Sequence, residues 1–570
     1  MGHAVGAARR IVLSGVSFDL ELGRFVALLG ANGSGKTTLA RLICGLTVPD
    51  HGRVCSRGQD TASAAGRAVA RRSWALVAQG VDLPCLRATV ADEVAFGPEN
   101  EGLAPSAVAH RVETALAAAG LTGLAQRHPR TLSGGQRQRL AVACALALGC
   151  DGLCLDEPTA LLDGPGSGSL RALALRLRAA GHVVLWITQR LEEAVEADRV
   201  LVLEGGRLTA DGPPGSVLTA PPRGLGVLPV VRLAGALAAV GVDPGPSPLR
   251  VEDLVRTITA RKPYACRGPI RRPRAVARRG GPVRLGLEGV SHGFGRIAAL
   301  RGVHMALRAG ECVCLLGATG AGKSTLLQIA AALLRPGAGR VAVAGRFPWE
   351  APWWRRGAAL RAARREAGLV WQLPERQFFG QTVLDELAFA PRNAGAGPGA
   401  ARRAAQRAAA DVGLDPGLLG RSPFSLSGGE ARRVAIAALL AAGPAALLLD
   451  EPTAGLDAAG RAAVRSTVRR LRTRGVGCLV VTHDAEFAAG LADRIAVLHA
   501  GRIVAAGRPQ AVFAMGAALE RWGVEPPAAV RLLRGLRAAG LAVPVAATGP
   551  GAAAAMVARA LSDAAAGVRR

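Results

Sequence analysis

The stretch FVALLGANGSGKTTLARLICGL, residues 25–46, decides the fold, and the chain contains a second version of it. The counterpart, CVCLLGATGAGKSTLLQIAAAL, occupies residues 312–333 of a sequence of 570 residues. Both fit G-x-x-x-x-G-K-[ST] after an apolar run and before a helical segment. In such a strand–turn–helix unit the glycines let backbone N–H groups curl around phosphate oxygens, and the helix presents its N-terminus to the same anion. Two matches, each after an apolar strand, predict two phosphate-binding loops.

Further pairs of matching segments follow in the same order in both halves. They are TVADEVAFGPEN (89–100) with TVLDELAFAPRN (382–393), LSGGQRQRLAVA (132–143) with LSGGEARRVAIA (426–437), and LCLDEPTALLD (153–163) with LLLDEPTAGLD (447–457). A repeat of this length indicates a tandem duplication of a whole domain, not a solenoid. Each half alternates apolar runs, turns and helical segments, which is typical of an α/β domain with a parallel sheet.

The chain is strongly basic, with a formal net charge of +29 and only three lysines, Lys36, Lys262 and Lys323. An acidic partner such as nucleic acid, the ribosome or an anionic membrane surface is one interpretation. Compositional drift towards arginine is the other, and we favour it. Two of the three lysines lie in the phosphate-loop motifs, where a cation is needed.

No segment predicts a membrane span or a signal peptide. The longest apolar run, residues 434–449, is broken by Gly443-Pro444 and ends on Asp450-Glu451, so it is too short and too interrupted to cross a bilayer. The ten cysteines form no C-x-x-C pair. We expect them to serve as small buried hydrophobic residues in a reducing compartment. The sequence therefore predicts a cytosolic chain that meets a membrane only through a partner.

The motifs supply the groups that phosphoryl transfer needs. Lys36 and Lys323 are expected to reach the β- and γ-phosphates, and Thr37 and Ser324 to bind Mg²⁺. An apolar strand carries Asp156, or Asp450, to its end as the second metal element. The next carboxylate, Glu157 or Glu451, is placed to polarise the attacking water.

The order P-loop, LSGGQ, strand-Asp-Glu and strand-Thr-His resembles the ATP-binding cassette (ABC) ATPases over both halves. The resemblance implies two tandem P-loop nucleotide-binding domains, each with a helical signature subdomain and a short helical C-terminal extension. It also implies ATP and Mg²⁺ as cofactors, and a head-to-tail cassette dimer in which each ATP lies between one P-loop and the other cassette's LSGGQ motif. Gln79 and Gln372 match the Q-loop, which binds Mg²⁺ and senses the transport partner, and Asp163 and Asp457 match the D-loop. The remaining expected nucleotide-binding residues are Gly30, Asn32, Gly33, Gly35, Thr38, Ser133, Gly134, Gly135, Gln136, Phe294, Gly317, Gly320, Gly322, Thr325, Ser427, Gly428, Gly429 and Glu430.

A narrower resemblance concerns GLVWQLPERQFFGQTVLDELAFAPRN (368–393), TVADEVAFGPENEGL (89–103) and the helical tail 523–541. These segments are similar to the ATPases of energy-coupling factor importers, although GVDLPCLRA after Gln79 departs from the pattern. The resemblance implies a vitamin, vitamin precursor or transition-metal ion as cargo. The implied partners are an integral membrane energy-coupling subunit and a small membrane substrate-binding subunit, with the chain peripheral on the cytoplasmic face and no nucleic acid bound.

Two other classes remain open. A soluble tandem-cassette factor acting on ribosomes would suit the basic charge, but such proteins usually have a long charged helical linker, and this linker is broken by proline and glycine. An ATPase of another importer, such as a sugar importer, would lack the AFGPEN feature.

We expect five segments: a first cassette at 1–218, its extension at 219–260, an Arg/Pro/Gly-rich linker at 261–282, a second cassette at 283–512 and its extension at 513–570. The second cassette has a leading strand, VRLGLEGVSHGFG (283–295), that the first lacks. Either the first domain is trimmed or its true start lies upstream.

The halves also differ in the residues expected to act on ATP. Gln189 stands where His483 stands, Glu430 where Gln136 stands, and Ala7 where Phe294 would stack on adenine. In the implied dimer all three departures fall in the site built on Lys36 and Glu157. A glutamine cannot be protonated as an imidazole can, so we expect the site with Lys323, Glu451 and His483 to turn over faster, although tolerated variation would also explain the differences.

Overall fold

The computed structural model describes residues 11–78, 86–160, 162, 164–222, 224–260 and 281–567. The chain divides into two compact units, unit 1 at residues 1–228 and unit 2 at residues 229–570. Each unit carries one phosphate-loop motif at the end of a buried strand. The expected α/β architecture with two tandem cassettes is confirmed.

Unit 1 is built on a mixed six-stranded sheet in the order β4-β5-β6-β1-β7-β8, with β7 and β8 antiparallel and the other neighbours parallel. Its strands are Phe25–Leu29 (β1), Cys55–Ser56 (β2), Gln59–Asp60 (β3), Trp74–Val77 (β4), Gly152–Asp156 (β5), Val183–Thr188 (β6), Arg199–Glu204 (β7) and Arg207–Gly212 (β8). Its helices are Lys36–Ile43 (α1), Ala64–Ser73 (α2), Val90–Asn100 (α3), Pro105–Ala119 (α4), Gly134–Ala147 (α5), Gly164–Ala179 (α6) and Pro214–Thr219 (α7).

Strands β1, β5 and β6 are buried at every position, because helices cover both faces of a parallel sheet. Residues 11–24 form no strand, although Leu13, Val16, Phe18 and Leu20 pack against the same core. The leading strand that the first cassette is expected to lack would fall before residue 11, outside the described residues. Helices α3, α4 and α5 form a separate apolar cluster around Val94, Leu116 and Leu140.

Unit 2 repeats the six-stranded sheet in the order β13-β14-β15-β11-β16-β17 and adds a three-stranded antiparallel sheet, β10-β9-β12. Its strands are Val283–Phe294 (β9), Ile297–Arg308 (β10), Cys312–Leu316 (β11), Ala338–Val343 (β12), Ala367–Val370 (β13), Ala446–Asp450 (β14), Gly477–Val481 (β15), Arg494–His499 (β16) and Arg502–Gly507 (β17). The cassette helices are Lys323–Ala330 (α10), Trp353–Glu366 (α11), Val383–Asn393 (α12), Pro398–Val412 (α13), Gly428–Leu440 (α14), Ala458–Thr473 (α15) and Ala485–Ala489 (α16).

The helices that follow the first cassette and those that follow the second all belong to unit 2. Those that follow the first cassette are Pro229–Ala239 (α8) and Val251–Ala260 (α9), and those that follow the second are Pro509–Phe513 (α17), Ala517–Arg521 (α18), Ala528–Ala538 (α19) and Pro550–Gly567 (α20). Helix α8 packs against α19 and α20, and α9 packs against α19. At the α9–α19 contact a side chain on Gly535 would place its Cβ 2.6 Å from Cγ2 of Val255, so the two helices approach closely because residue 535 is glycine.

Residues 261–280 of the expected linker lie outside the described residues. Within the described ranges, none of the helices combines the length and the apolar character that a bilayer crossing requires. The expectation that the cysteines are buried holds for Cys44, Cys150, Cys154 and the three in the unit 2 sheet, but it is wrong for Cys55, which is exposed in the short hairpin of β2 and β3.

Candidate active sites

The two phosphate loops have the same internal geometry. Lys36 Nζ donates to the carbonyl oxygens of Gly30 and Ala31 at 2.7 and 2.9 Å, and Lys323 Nζ donates to those of Gly317 and Ala318 at 2.7 and 2.8 Å. Each ammonium therefore lies across the mouth of its loop. The first turns of α1 and α10 have no side-chain cap, which leaves their N–H groups directed at the space that the loop encloses.

Glycine is required at the start of each loop because the loop passes against a neighbouring strand. A Cβ on Gly30 would lie 2.5 Å from the carbonyl oxygen of Leu203 in β7, and one on Gly317 would lie 2.2 Å from that of Leu498 in β16. These distances are far below van der Waals contact. The close approach fixes the height of the loop above the end of the sheet.

A hydroxyl and a carboxylate meet beside each loop. Thr37 Oγ1 donates to Asp156 Oδ2 at 2.6 Å, and Ser324 Oγ donates to Asp450 Oδ2 at 3.0 Å. Burial raises the pKa of both carboxyl groups, and the hydroxyl hydrogen bond opposes that rise. The ends of β1 and β5 thus bring Thr37 and Asp156 together in unit 1, and the ends of β11 and β14 bring Ser324 and Asp450 together in unit 2.

The next carboxylate in each unit has a left-handed backbone. Glu157 has φ 47° and Glu451 has φ 45°, and their N–H groups donate to the carbonyls of Ile187 and Val481 at 2.9 Å in each case. A non-glycine residue in this region is uncommon and persists where the surrounding structure holds it in place. The turn after β5, and that after β14, aims the carboxylate back across the end of the sheet.

The surroundings of these two glutamates differ. His483 Nδ1 lies 3.0 Å from Glu451 Oε2. In unit 1, the Oε1 atoms of Glu157 and Gln189 are buried, and neither has a hydrogen-bond partner among the described residues. Burial is the largest of the causes that raise the pKa of Glu157 to about 7, and the charges of Glu193 and Asp156 also raise it, against the charge of Lys36.

Glu193 belongs to a buried polar cluster that unit 2 does not repeat. Its carboxylate, 3% exposed, accepts hydrogen bonds from Thr159 Oγ1 and from Trp186 Nε1 at 2.9 Å. The matching position in unit 2 is Phe487, which is 1% exposed and stacks under the guanidinium of Arg465. Sequence reasoning missed this cluster. The gapless alignment of LWITQRLEEA (185–194) with LVVTHDAEFA (479–488) shows only that Trp186 and Glu193 stand where unit 2 has Val480 and Phe487.

The two LSGG segments form N-terminal capping boxes on α5 and α14. Ser133 Oγ accepts from the backbone N–H of Gln136, and Ser427 Oγ accepts from that of Glu430. In unit 2, the Ser427 hydroxyl also donates to Glu430 Oε2 at 2.7 Å. Burial tends to raise the pKa of Glu430, but the hydrogen bonds from Ser427 outweigh it and hold that pKa below its usual range. The Ser427 hydroxyl is therefore already donating its hydrogen to Glu430 within the same motif. The sequence analysis did not predict this contact.

The other expected residues lie as follows. Phe294 ends β9, is 52% exposed and stacks edge-on against His292 with 4.9 Å between ring centroids. Gln372 is half-buried just after β13, and Asp457 caps α15 by accepting from Gly460 N at 2.8 Å. Ala7, Gln79 and Asp163 lie outside the described residues. Asn32, Gly33, Gly35 and Thr38 line the first loop and helix α1, and Gly320, Gly322 and Thr325 line the second loop and α10; Gly134, Gly135, Gly428 and Gly429 open helices α5 and α14.

Unit 2 exposes four apolar side chains between the end of β13 and the start of α14. They are Leu373, Phe379, Phe389 and Phe424, which are 36%, 60%, 47% and 63% exposed. Phe379 and Phe389 stack edge-on with centroids 4.5 Å apart. The buried carboxylate of Glu386 supports the loop, since it accepts from the N–H groups of Phe379 and Gly380 at 2.9 and 2.7 Å.

These residues fit ATP and Mg²⁺. A cradle of N–H groups with one lysine across its mouth suits a polyphosphate. A hydroxyl beside a carboxylate supplies the oxygen ligands that Mg²⁺ prefers. Fold and loops together define a P-loop nucleotide hydrolase with two catalytic cassettes.

The family model for the ABC transporter family matches residues 13–160 and 300–454, and the chain belongs to that family. It is an ATP-binding, ATP-hydrolysing subunit of an ABC transporter. ATPases of this family work with membrane subunits.

Three relatives show how far the likeness extends. An ABC transporter ATP-binding protein of Bifidobacterium longum is 35% identical over 506 residues, which cover 85% of this chain and 62% of the relative. One from Streptomyces avermitilis is 36% identical over 88% of this chain and 91% of its own length. An energy-coupling factor transporter ATP-binding protein of Symbiobacterium thermophilum is 44% identical over 246 residues, which cover 43% of this chain and 84% of the relative.

Proposed function

We propose that the chain is the two-cassette ATPase of an energy-coupling factor importer, which drives uptake of a vitamin, a vitamin precursor or a transition-metal ion. The exposed side chains of Phe379, Phe389 and Phe424 carry this proposal. Phe379 stacks on Phe389, and Phe424 stacks on Phe378, the neighbour of Phe379 in the chain. Exposed apolar patches of this kind mark interaction sites. The partial relative from Symbiobacterium thermophilum, an energy-coupling factor ATPase at 44% identity, supports it.

The partner would be an integral membrane energy-coupling subunit, together with a small membrane substrate-binding subunit. Leu373, which is also exposed, follows Gln372 in the chain, so a partner segment seated on Leu373 would contact the segment that carries Gln372. In unit 1 the positions that match the three exposed phenylalanines are Leu86, Phe96 and Arg130. Phe96 lies under the guanidinium of Arg87, so the two cassettes present different surfaces to such a partner.

Within each cassette the residues have defined tasks. Lys36 and Lys323 bind the β- and γ-phosphates, and the loop N–H groups hold the phosphate oxygens in place. Thr37 with Asp156 and Gln79, and Ser324 with Asp450 and Gln372, would hold Mg²⁺, which supplies charge neutralisation between the phosphates. Glu157 and Glu451 orient and polarise water.

The two sites are proposed to differ in rate. His483 contacts the Glu451 carboxylate and can donate to a γ-phosphate oxygen, whereas Gln189 leaves Glu157 without such a partner. The bond from Ser427 to Glu430 adds to the difference, because that hydroxyl belongs to the signature motif which the family resemblance assigns to the site with Lys36.

The decisive experiment is purification of the tagged chain from detergent-extracted native membranes, with ribosomes collected in parallel. We expect a polytopic membrane subunit to copurify in a fixed ratio, and uptake of a radiolabelled vitamin or metal ion by vesicles containing the complex to require ATP. Phe379→Ser with Phe424→Ser should release the membrane subunit, whereas Leu22→Ser, at an exposed position in unit 1, should not. Recovery with ribosomes and no membrane subunit would overturn the proposal.

A further inference from the structure

Two neighbouring tryptophans project from unit 2 into solvent. Trp353 and Trp354 begin α11 and are 79% and 66% exposed. Their rings meet edge-on with centroids 5.7 Å apart. The chain has seven tryptophans, and the other five, Trp74, Trp186, Trp349, Trp371 and Trp522, are buried or half-buried. An exposed indole pair of this size is a feature that packing within unit 2 does not explain.

Arginines continue the same solvent-facing side of α11. Trp354, Arg361 and Arg365 lie at helical spacings that place them on one face, and Trp353 lies beside them with Arg364. All three arginines are exposed, as is Arg355. Ala363, opposite Trp354 on the helix, packs against the core of the unit, and so does Leu360, which lies between Trp353 and Ala363 around the helix. The helix is therefore amphipathic, with two indoles in the first turn of its exposed side and guanidinium groups in its first and last turns.

Negative charge is nearly absent from this face. Glu350, the carboxylate before the tryptophans in the chain, is held by Arg340 through two hydrogen bonds of 2.6 and 2.9 Å. Arg340 also covers the ring of Phe347. Arg355, Arg361 and Arg365 form no ion pair with any residue in the described part of the chain. The net field at the surface is positive and available to an anionic partner.

Unit 1 lacks the feature. The matching helix α2 has the sequence AAGRAVARRS and contains no tryptophan. Arg71 in α2 matches Arg364 in α11. Arg71 donates to the carbonyl of Gly45, just after α1, and Arg364 donates to that of Ala332, just after α10, each at 3.1 Å. The helix itself is thus part of the repeat, and the turn with the tryptophans is an addition to the second cassette alone.

We propose that Trp353, Trp354 and the exposed arginines of α11 form a contact surface for an anionic phospholipid bilayer. Indole rings favour the boundary between headgroups and acyl chains, since they combine an apolar body with one polar N–H group. Arginines next to them gain from the negative surface potential of the cytoplasmic leaflet. The exposed residues are two indoles and several guanidinium groups, which match the interface of an anionic bilayer in both polarity and charge.

This contact is separate from the aromatic group around Phe379, and it requires no protein partner. Lipid vesicles without protein therefore test it, and failure of the proposed importer function would leave the result unaffected. The contact would hold the second cassette at the membrane while its partner changes conformation.

The experiment is flotation of the full chain with vesicles of phosphatidylcholine, either alone or mixed with phosphatidylglycerol. We expect binding to the mixed vesicles, and a loss of at least about tenfold in affinity for Trp353→Ser with Trp354→Ser. Arg361→Ser with Arg365→Ser should weaken binding by about tenfold to thirtyfold, and the remaining binding should fall further as salt is raised. Indole emission should shift to the blue on binding and be quenched by brominated lipid, and the tryptophan double variant should lose most of that signal.

Two matched controls distinguish this surface from the general basic charge. Arg53→Ser with Arg72→Ser removes two exposed arginines from unit 1, and Leu22→Ser with Leu46→Ser removes two exposed apolar side chains there. Neither should change vesicle binding by more than about twofold. Equal losses in the controls, unchanged binding in the tryptophan variant, or no binding by the unmodified chain would each overturn the proposal.

Discussion

His483 Nδ1 lies 3.0 Å from Glu451 Oε2, and this contact has no equivalent at Glu157, where the matching residue is Gln189. An imidazole that touches the catalytic carboxylate can fix its direction and carry a proton or a positive charge. The amide of Gln189 can donate a hydrogen bond, but it cannot carry a proton or a positive charge in this way. This difference at the end of one strand is the basis of the proposal that the two cassettes hydrolyse ATP at different rates.

The first prediction compares the two carboxylates. Glu451→Gln should lower steady-state ATP turnover by about 10²-fold, the usual cost of removing a general base. Glu157→Gln should leave a substantial part of the turnover, because the weaker site contributes less. Phosphate release under saturating ATP measures both. Equal losses would contradict the proposed asymmetry.

The second prediction concerns Gln189. Gln189→His should restore a side chain able to contact Glu157, and we expect a rise of severalfold in the turnover that remains in the Glu451→Gln background, of the order that one added hydrogen bond gives. The control is Arg190→Ala in the same background, which alters the neighbouring residue without adding an imidazole. No change in either rate or nucleotide affinity would favour tolerated variation at this position.

The third prediction is a pH profile. The pKa of Glu157 is raised to about 7, chiefly by burial, and a carboxyl group acts as a base only when it is ionised. The residual turnover of the Glu451→Gln variant should therefore fall as pH decreases from about 8 to about 6. Addition of Glu157→Gln should remove this pH dependence. A profile that stays flat over the range would exclude Glu157 as the titrating base.

The fourth prediction concerns the buried cluster in unit 1. Glu193→Leu leaves the Thr159 hydroxyl and the Trp186 indole N–H without their acceptor, so we expect unit 1 to lose about 1–3 kcal/mol of stability. Hydrogen exchange of the β6 amides would report the loss. Glu192→Leu is the matched control, because Glu192 is exposed and should change stability by less than about 0.5 kcal/mol. Similar effects from both substitutions would mean that the cluster contributes nothing specific.

The fifth prediction tests the pairing of the two extensions. Gly535→Leu would drive a side chain into Val255, where even a Cβ would approach to 2.6 Å. Helix α9 should separate from α19, and exchange of the amides in residues 251–260 should accelerate by about tenfold or more. Gly549→Leu is the control, since nothing lies within 4 Å of a Cβ there. Unchanged exchange after Gly535→Leu would show that α9 is held by other contacts.

Much of the candidate site follows from the sequence, because its motifs specify local backbone geometry. The lysine across the loop mouth and the contact of Thr37 with Asp156 are set by motif spacing and by parallel strands that end at one edge. The capping box at Glu430 is also visible in the sequence as S-x-x-E. The hydrogen bond from the Ser427 hydroxyl to Glu430 depends on the side-chain rotamers, which only the structure shows.

Other features depend on packing that single motifs do not record. Glu193 became meaningful only with its partners Trp186 and Thr159, which come from a different strand and loop. The contact of Glu486 Oε1 with the backbone N–H of Ala528, at 2.6 Å, joins the helix after His483 to α19 across a long stretch of chain. No periodicity in the sequence predicts such a bond.

The placement of α8 and α9 in unit 2 has a consequence for how the chain can be divided. A fragment cut at the arginine-rich segment would keep both helices on the first half, with the apolar side chains of Leu233, Leu237 and Leu254 deprived of α19 and α20. Such a fragment should aggregate, and its complement should lack part of its own interior. A cut just before residue 229 would respect the boundary between the units. The boundary between the two compact units therefore lies about thirty residues before the Arg/Pro/Gly-rich segment, where the composition alone would place it.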